Sequence, residues 1–220
     1  MLEEIERLPL EFRNRQKKKM IRLNVLTAGQ LVPELIREFG RKSGCFFRVL
    51  DRREATNGMS VFESTLPQYV FSNAVKLMEE PLCLAFHKDS WLRNLEKVKL
   101  SDIRNEKFVM LRSGGSIRTI SDAIFEKEGI IPDIAFECDT VDILRRMVQE
   151  GLGITIWPRY SWRDHLRSET DFANVCYRPI DNNEFKRSLY LILQKDLKMT
   201  EELEKFCKYT EKYFNSIKEE

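Results

Sequence analysis

Residues 108–159 contain two consecutive strand–loop–helix units followed by a third strand, and this alternation constrains the fold more than any other stretch. Apolar runs predict the first strand at 108–111, the second at 134–136 and the third at 154–157. Between them, apolar residues recur at three- and four-residue steps, which predicts two amphipathic helices. Because strands that alternate with helices of this length form parallel sheets with right-handed crossovers, we predict a parallel α/β sheet.

The helix of the second unit has a start signal and an amphipathic pattern. Either Asp139 or Thr140 can cap its first free N–H groups. Its apolar residues fall on one stripe, which predicts that Arg145 and Arg146 point outward. The N-terminus of this helix is expected beside the Gly-Gly-Ser loop of the first unit, since both follow the carboxyl ends of neighbouring strands.

The sheet edge where these helices begin suits a ligand. Helix N-termini carry free N–H groups and a partial positive charge, so they favour an anionic or carbonyl-bearing ligand. In the alternative interpretation, Gly114 and Gly115 form only a tight turn and Ser116 is only an N-cap. The loop by itself favours this alternative, whereas a second lobe facing the loop would favour a ligand site.

A third unit of the same kind occurs earlier in the chain. A strand is predicted at 21–26, and the helix predicted at 30–42 accepts Pro33 in its first turn. The hydroxyl of Thr27 and the backbone of Gly29 are therefore expected at another helix N-terminus. The remaining segments predict strands at 46–50, 61–62, 75–78, 82–86 (after Pro81), 175–180 and 189–193, and a closing helix capped by Thr200.

The composition indicates an ordinary globular protein. Its 220 residues are enough for one large domain or two lobes. With 37 Lys and Arg against 35 Asp and Glu, the net charge is +2. This balance predicts no general electrostatic attraction to nucleic acids or to membrane surfaces. No apolar run approaches the roughly 20 residues of a membrane span, and the charged N-terminus lacks a secretory apolar core. We therefore expect a cytoplasmic protein that does not contact a membrane.

Reactive groups are sparse and scattered. The five cysteines are widely spaced and odd in number, which predicts reduced, mostly buried thiols, with one redox-sensing thiol as the alternative. The two histidines, His87 and His165, lack metal-ligand spacing, and no nucleophile, zinc or phosphate-loop motif occurs. We expect no metal, no cofactor and no catalytic residue. The basic cluster at 13–19 is expected to be a solvated linker rather than a nucleic-acid arm.

Five longer stretches add a signal that no single one of them carries. They read IRLNVLTAGQLVPELIREF, EEPLCLAFHKDSWL, LSDIRNEKFVMLRSGGSIRTISDAIFEKEG, IAFECDTVDILRRMVQEGLGITIWP and RSLYLILQKDLKMTEELEKF. In this order they resemble the effector-binding domain of LysR-type transcriptional regulators, over about residues 21–217. The resemblance implies an α/β fold of two Rossmann-like lobes joined by crossover strands, like a type 2 periplasmic binding protein, with a small-molecule site between the lobes.

Carried onto this sequence, the resemblance divides the chain into three parts. Residues 1–20 correspond to a linker remnant, 21–83 plus 185–220 to effector-binding lobe one, and 84–184 to effector-binding lobe two. The implied ligand-binding residues lie in three loops and one short strand. They are Thr27, Gly29, Gln30, Glu63, Ser64, Ser113, Gly115, Ser116, Asp139 and Thr140.

The sequence departs from the family pattern at two places. The N-terminal helix-turn-helix of the family has no counterpart in these 220 residues, so we expect the DNA-binding part to lie outside this chain. Residues 51–60 are also too few for the helix that lines lobe one in the family. One wall of the family pocket is therefore expected to differ here.

These observations predict a ligand-sensing regulatory domain that is not an enzyme. It would bind a small, anionic metabolite in the interlobe cleft. It would relay binding through a homodimer, or a tetramer in the full-length protein, to a DNA-binding domain absent from this chain. One alternative is a small-molecule lyase or transferase on the same fold, with Glu63 or Asp139 as general acid or base. Another is an exported solute-binding protein, which the missing signal peptide disfavours.

The 220-residue chain is expected not to bind duplex DNA with sequence selectivity. Its near-neutral net charge leaves only the cluster at 13–19 for phosphate contacts. A gel-shift experiment at physiological salt, with a scrambled duplex of the same length as control, measures this. Selective retardation of one duplex over its scrambled control would contradict the prediction.

Overall fold

The structure is a computed structural model that describes residues 20–50, 60–66, 68–161, 174–181, 185–195 and 197–217. The predictions for the linker remnant with its basic cluster, for most of 51–60, and for His165 lie outside the described residues. The elements follow in this order: β1 (Met20–Val25), α1 (Val32–Ser43), β2 (Phe46–Leu50), β3 (Ser60–Thr65), β4 (Ala74–His87), 3₁₀ turns at Trp91–Asn94 and Leu100–Ile103, β5 (Lys107–Leu111), α2 (Ser116–Lys127), β6 (Asp133–Cys138), α3 (Val141–Gln149), β7 (Thr155–Pro158), β8 (Val175–Pro179), β9 (Lys186–Leu193) and α4 (Glu201–Ile217).

These elements form two α/β lobes joined by crossover strands, which confirms the predicted fold class. In lobe one, β1 pairs in parallel with both β2 and β3, and β9 pairs antiparallel with β3. In lobe two, β5 and β6 are parallel, and the N–H of Val109 donates to the carbonyl oxygen of Ile154 at 2.9 Å, which brings β7 beside them. The predicted lobe boundaries at 83–84 and 184–185 stay a prediction.

Gly153 permits the close approach of β7 to β5. A Cβ atom at this position would lie 2.6 Å from the carbonyl oxygen of Lys107, a distance that side chains do not tolerate. The N–H of the next residue, Ile154, donates to this same oxygen at 2.8 Å. A glycine is therefore required for the third strand of the repeating pattern to join its sheet.

The strand β4 passes from one lobe to the other without a break. The sequence predicted two strands separated by Pro81, and this prediction is wrong. Residues 74–81 pair antiparallel with β9, and residues 82–87 pair with β7 and β8. Pro81 lacks an N–H, yet the strand continues through it. Its carbonyl oxygen accepts the N–H of Arg159 at 3.0 Å, and the N–H of Leu82 donates to Phe185 at 2.9 Å.

Each lobe has its own apolar core. In lobe one, the rings of Phe39, Phe47 and Phe206 have centroids 5.2–6.2 Å apart, and they fix α1 and α4 on one face of the sheet. In lobe two, Phe108 and Phe125 stack edge to face at 5.1 Å beneath α2. The other face of β3 and β9 is turned toward α2 of lobe two, and this arrangement creates a cleft.

The predicted face of α3 is wrong at one residue. Arg145 was expected to point outward, but it is 0% exposed, and its guanidinium carbon lies 5.1 Å from the centre of the Trp157 ring. Burial lowers the pKa of this guanidinium to about 10. A planar guanidinium stacks well on an indole face, so the long side chain fills a place that the pattern would assign to an apolar residue.

A buried ion pair connects the two crossover strands. Glu80 of β4 and Arg187 of β9 are paired in the ladder, with side-chain exposures of 0% and 2%. Atom Oε2 of Glu80 accepts from Nε of Arg187 at 2.8 Å and lies 2.8 Å from its Nη2. The same carboxylate accepts the N–H groups of Tyr160 and Ser161 and, at 2.7 Å, the Ser161 hydroxyl. The pair therefore ties β4 and β9 to the end of β7.

Among the described helices, none is long and apolar enough to cross a membrane.

Replacing Arg187 by Met is expected to lower the free energy of unfolding by about 3–5 kcal/mol, because the Glu80 carboxylate would stay buried without its cation. Lys76→Met is the matched control on the partner strand β4, since Lys76 and Glu79 form a half-exposed pair at 2.6 Å. Such a pair contributes about 1 kcal/mol or less. Urea unfolding followed by circular dichroism measures both variants, and equal losses of stability would contradict the prediction.

Candidate ligand site between the lobes

Three loops that follow the carboxyl ends of parallel strands meet between the lobes. They connect β1 to α1, β5 to α2 and β6 to α3, and they enclose a cavity of about 540 Å³, here called the loop compartment. The N-termini of α2 and α3 border it, as expected for helices that follow neighbouring parallel strands, and the loop that leads into α1 faces them from lobe one. The lining residues are Val25, Leu26, Thr27, Ala28, Gly29, Gln30, Leu111, Arg112, Ser113, Gly114, Gly115, Ser116, Ile117, Asp139, Thr140, Val141 and Arg187.

A second cavity of about 570 Å³ adjoins the first and is here called the sheet compartment. It lies between the face formed by β3 and β9 of lobe one and helix α2 of lobe two. Leu26 and Ser116 line both cavities. The lining residues are Leu26, Val61, Glu63, Ser64, Thr65, Leu66, Tyr69, Phe71, Ser116, Thr119, Ile120, Ile192 and Gln194.

The structure brings the ten sequence-predicted site residues to these two cavities. Eight of them line the loop compartment: Thr27, Gly29, Gln30, Ser113, Gly115, Ser116, Asp139 and Thr140. Glu63 and Ser64 lie apart from most of this group and line the sheet compartment. Their role in binding stays a prediction.

Ser116 does not cap its own helix. Gly115 is the N-cap residue of α2, Ser116 is the first helical residue, and the cap has no side-chain hydrogen bond. The hydroxyl of Ser64 in lobe one instead donates to Ser116 Oγ in lobe two at 3.0 Å. The interpretation of Ser116 as only an N-cap is therefore wrong, and its hydroxyl forms a direct contact between the lobes.

Thr27 lies at the base of the loop compartment, 8% exposed. Its Oγ1 accepts from Nη1 of Arg187 at 2.9 Å and lies 3.3 Å from Ser64 Oγ. The one proton of the Ser64 hydroxyl goes to Ser116, so between Thr27 and Ser64 it is Thr27 that can donate. Arg187 thus makes Thr27 an acceptor on one side and leaves its proton for Ser64 or for a ligand in the loop compartment.

The residue after Thr27 has an unusual backbone conformation. Ala28 has a φ of 55°, and it is the one described non-glycine residue with positive φ. Its carbonyl oxygen accepts the N–H groups of Leu31 and Val32 at 2.9 and 3.2 Å, which starts α1. A left-handed alanine costs about 1–3 kcal/mol, and such strain clusters at functional sites. This strain places Thr27 at the cavity base.

The sequence left open whether Asp139 or Thr140 caps α3, and in the structure the cap is Thr140. Thr140 is the N-cap of α3, and its Oγ1 accepts the N–H of Ile143 at 3.3 Å. Asp139 instead pairs with Arg112 at 2.9 Å, and both side chains are exposed. The acidic group at this edge is therefore matched by a cation at the rim of the loop compartment.

Sequence reasoning missed Arg187 and Ser161. Nη2 of Arg187 donates to the Ser161 hydroxyl at 2.9 Å, and its Nη1 lies 3.4 Å from Ser64 Oγ. Ser161 itself is 0% exposed. No local motif marks either residue, and only the antiparallel pairing of the crossover strands could have indicated that Arg187 faces Glu80.

Within the described residues, no group of three or more His, Cys, Asp or Glu side chains could hold a metal ion.

Comparison with known proteins agrees with this architecture. The LysR substrate binding domain family matches residues 71–215. A curated relative, the hydrogen peroxide-inducible genes activator of Pectobacterium carotovorum subsp. carotovorum, is 34% identical over 118 residues, which are 54% of this chain and 38% of the relative. The chain thus spans well under half the length of this relative.

Two solved structures share the fold. The effector binding domain of QuiR in complex with shikimate has a TM-score of 0.68 and 19% identity, covering 90% of this chain and 97% of that one. The CcmR regulatory domain of Synechocystis PCC6803 in complex with 2-PG has a TM-score of 0.72 and 18% identity, covering 89% and 97%. The family match extends from the loop before β4 through most of α4, more than half of the 220 residues, and the chain therefore belongs to the family of LysR substrate-binding domains.

Proposed function

We propose that this chain is the ligand-sensing part of a LysR-type transcriptional regulator and binds a small anionic metabolite in the loop compartment. The observation that carries the proposal is the convergence of the N-termini of α2 and α3, and of the loop that leads into α1, with the hydroxyls of Thr27 and Ser116. The partial positive charge at a helix N-terminus favours a carboxylate or phosphate by about 0.3–1 kcal/mol per helix. The two related structures are complexes with shikimate and with 2-PG, which supports the binding of a small molecule by a domain of this fold.

Binding would be communicated through the contacts that join the lobes. Thr27 and Ser64 both contact Arg187, which is paired with Glu80 on the crossover strand. A ligand that takes a hydrogen bond from Thr27 would compete with its present partners and alter this network. Differential contacts of this type can shift the angle between two lobes, and the DNA-binding part of a regulator can respond to it.

We propose that the chain senses its ligand rather than transforming it. The two candidate acid–base residues, Glu63 and Asp139, line different compartments. Asp139 is exposed and paired with Arg112, and Glu63 Oε1 accepts the N–H of Ser64 at 3.0 Å. Because both carboxylates already have partners within the chain, we favour ligand sensing over a lyase or transferase mechanism that needs one of them as general acid or base.

Thiol-based peroxide sensing is the second candidate, because the curated relative regulates peroxide-inducible genes. All five cysteines are free thiols, and four are buried. Burial raises the pKa of Cys83 and Cys207 to about 11 and also raises the pKa of Cys138. A reactive thiol needs a lowered pKa and access to solvent, so these three cysteines favour metabolite binding over peroxide sensing.

Thr27→Val and Ser116→Ala are each expected to weaken ligand binding about tenfold, the equivalent of one lost hydrogen bond. Calorimetry with a panel of small carboxylates and phosphates, beginning with shikimate and 2-PG, measures the effect. Ser101→Ala is the control, since the exposed hydroxyl of Ser101 donates to its neighbour Asp102 at 3.4 Å and lines neither compartment. A ligand that binds wild type and both cavity variants with equal affinity would show that the site is assigned wrongly.

We also propose that the chain forms a homodimer, with α1 of one protomer on lobe two of its partner. Phe136 and Ile143 of lobe two are 39% and 46% exposed, and such apolar side chains suit a two-fold interface. Light scattering at tens of micromolar is expected to give the mass of a dimer. Ile143→Asp should weaken dimerisation about tenfold, whereas Met199→Asp, also exposed but outside lobe two, should not. A monomeric wild type would contradict this.

A further inference from the structure

We infer that the sheet compartment binds the apolar part of the same ligand whose anionic group occupies the loop compartment. The ligand class is thus a carboxylate or phosphate that bears an aryl or alkyl group, rather than a small polar acid alone. This inference rests on the proposed function, because the anionic end anchors the molecule.

The two compartments form one continuous cleft. Leu26 and Ser116 line both of them, and the hydrogen bond from Ser64 to Ser116 lies at their boundary. The volumes are similar, about 540 and 570 Å³. An anion bound by the loops would fill only the first, so the second is available to whatever is attached to it.

Seven of the thirteen residues that line the sheet compartment are apolar or aromatic. Val61 of β3 and Ile192 of β9 project from the sheet, and Ile120 of α2 faces them from lobe two. The rings of Tyr69 and Phe71 form the side of the cavity. Apolar walls with a few polar groups are the usual lining of small-molecule sites.

This aromatic wall is built in place before any ligand binds. The ring of Phe71 contacts Tyr190 of β9 edge to face, with centroids 5.3 Å apart. The Tyr190 hydroxyl donates to the carbonyl oxygen of Tyr69 at 3.2 Å, and the N–H of Tyr69 donates to Leu66 at 3.0 Å. The loop between β3 and β4 is therefore held against the sheet, which lowers the ordering cost of binding.

The charges of the two compartments orient the ligand. Among the described lining residues, the sheet compartment has one acidic side chain, Glu63, and no Lys or Arg. The loop compartment has Asp139, which is paired with Arg112, and Arg187, which is paired with Glu80. A carboxylate placed beside Glu63 would be repelled, and one placed beside the helix N-termini would be attracted. The anionic end is therefore directed to the loops and the apolar end to the sheet.

The test uses the whole 220-residue chain and four probes of increasing length: acetate, phenylacetate, 3-phenylpropionate and 4-phenylbutyrate. Titrations followed by NMR suit weak binders and report where each probe binds. Acetate is expected to shift the amides of Gly29 and Gly115. The phenyl acids should also shift the methyl groups of Val61 and Ile192 and should bind at least about tenfold more tightly than acetate.

Thr119→Trp tests the compartment directly, because Thr119 lines it from an exposed position on α2. The indole should weaken 3-phenylpropionate about tenfold and leave acetate within about twofold. Glu126→Trp, exposed on the same helix and absent from the lining of either compartment, is the matched control and should change neither probe.

The outcomes separate this inference from the proposed function. Acetate and phenyl acids that shift the loop amides with equal affinity would overturn the inference and leave the anion site intact. Equal weakening of both probes by Thr119→Trp would do the same. If no acid of the series binds, the inference is overturned for these probes, and the metabolite panel with Thr27→Val then decides the proposed function separately.

Discussion

The buried pair of Glu80 and Arg187 is the interaction on which the joined lobes and their cleft depend. Two charges in a dry interior are stable only when each is fully hydrogen-bonded. Here the carboxylate also accepts from the backbone at the end of β7, and the guanidinium also donates to Thr27 and Ser161. Hydrophobic residues of similar volume would stabilise the fold as well, so we infer that the pair is there to specify geometry.

The convergence of loops could be predicted from the sequence because it follows from local patterns. A strand, a turn with glycine or threonine, and an amphipathic helix occur three times, and parallel pairing brings the turns within one sheet to one edge. That the Thr27 loop of lobe one faces the Ser113 and Asp139 loops of lobe two was implied by the family resemblance, and these residues line one cavity.

The remaining features depend on contacts that local patterns do not contain. Arg187 and Glu80 are 107 residues apart, and each by itself looks like one more charged surface residue. Arg145 broke the expected pattern because an indole face can replace solvent as its surroundings. Pro81 was taken as a strand break, since the sequence does not show on which side of the strand a partner is missing.

The 14 residues of β4 form one strand that belongs to the sheets of both lobes. Domains joined by loops can rotate about a few soft backbone torsions, but here any rotation must twist a strand that is hydrogen-bonded to β9 in lobe one and to β7 and β8 in lobe two. Rotation of one lobe relative to the other is therefore resisted by the twisting of β4, and it is not free as it would be about a flexible linker. For the same reason the lobes should unfold together, as one cooperative unit, because neither can lose its sheet without unpairing the strand that completes the other.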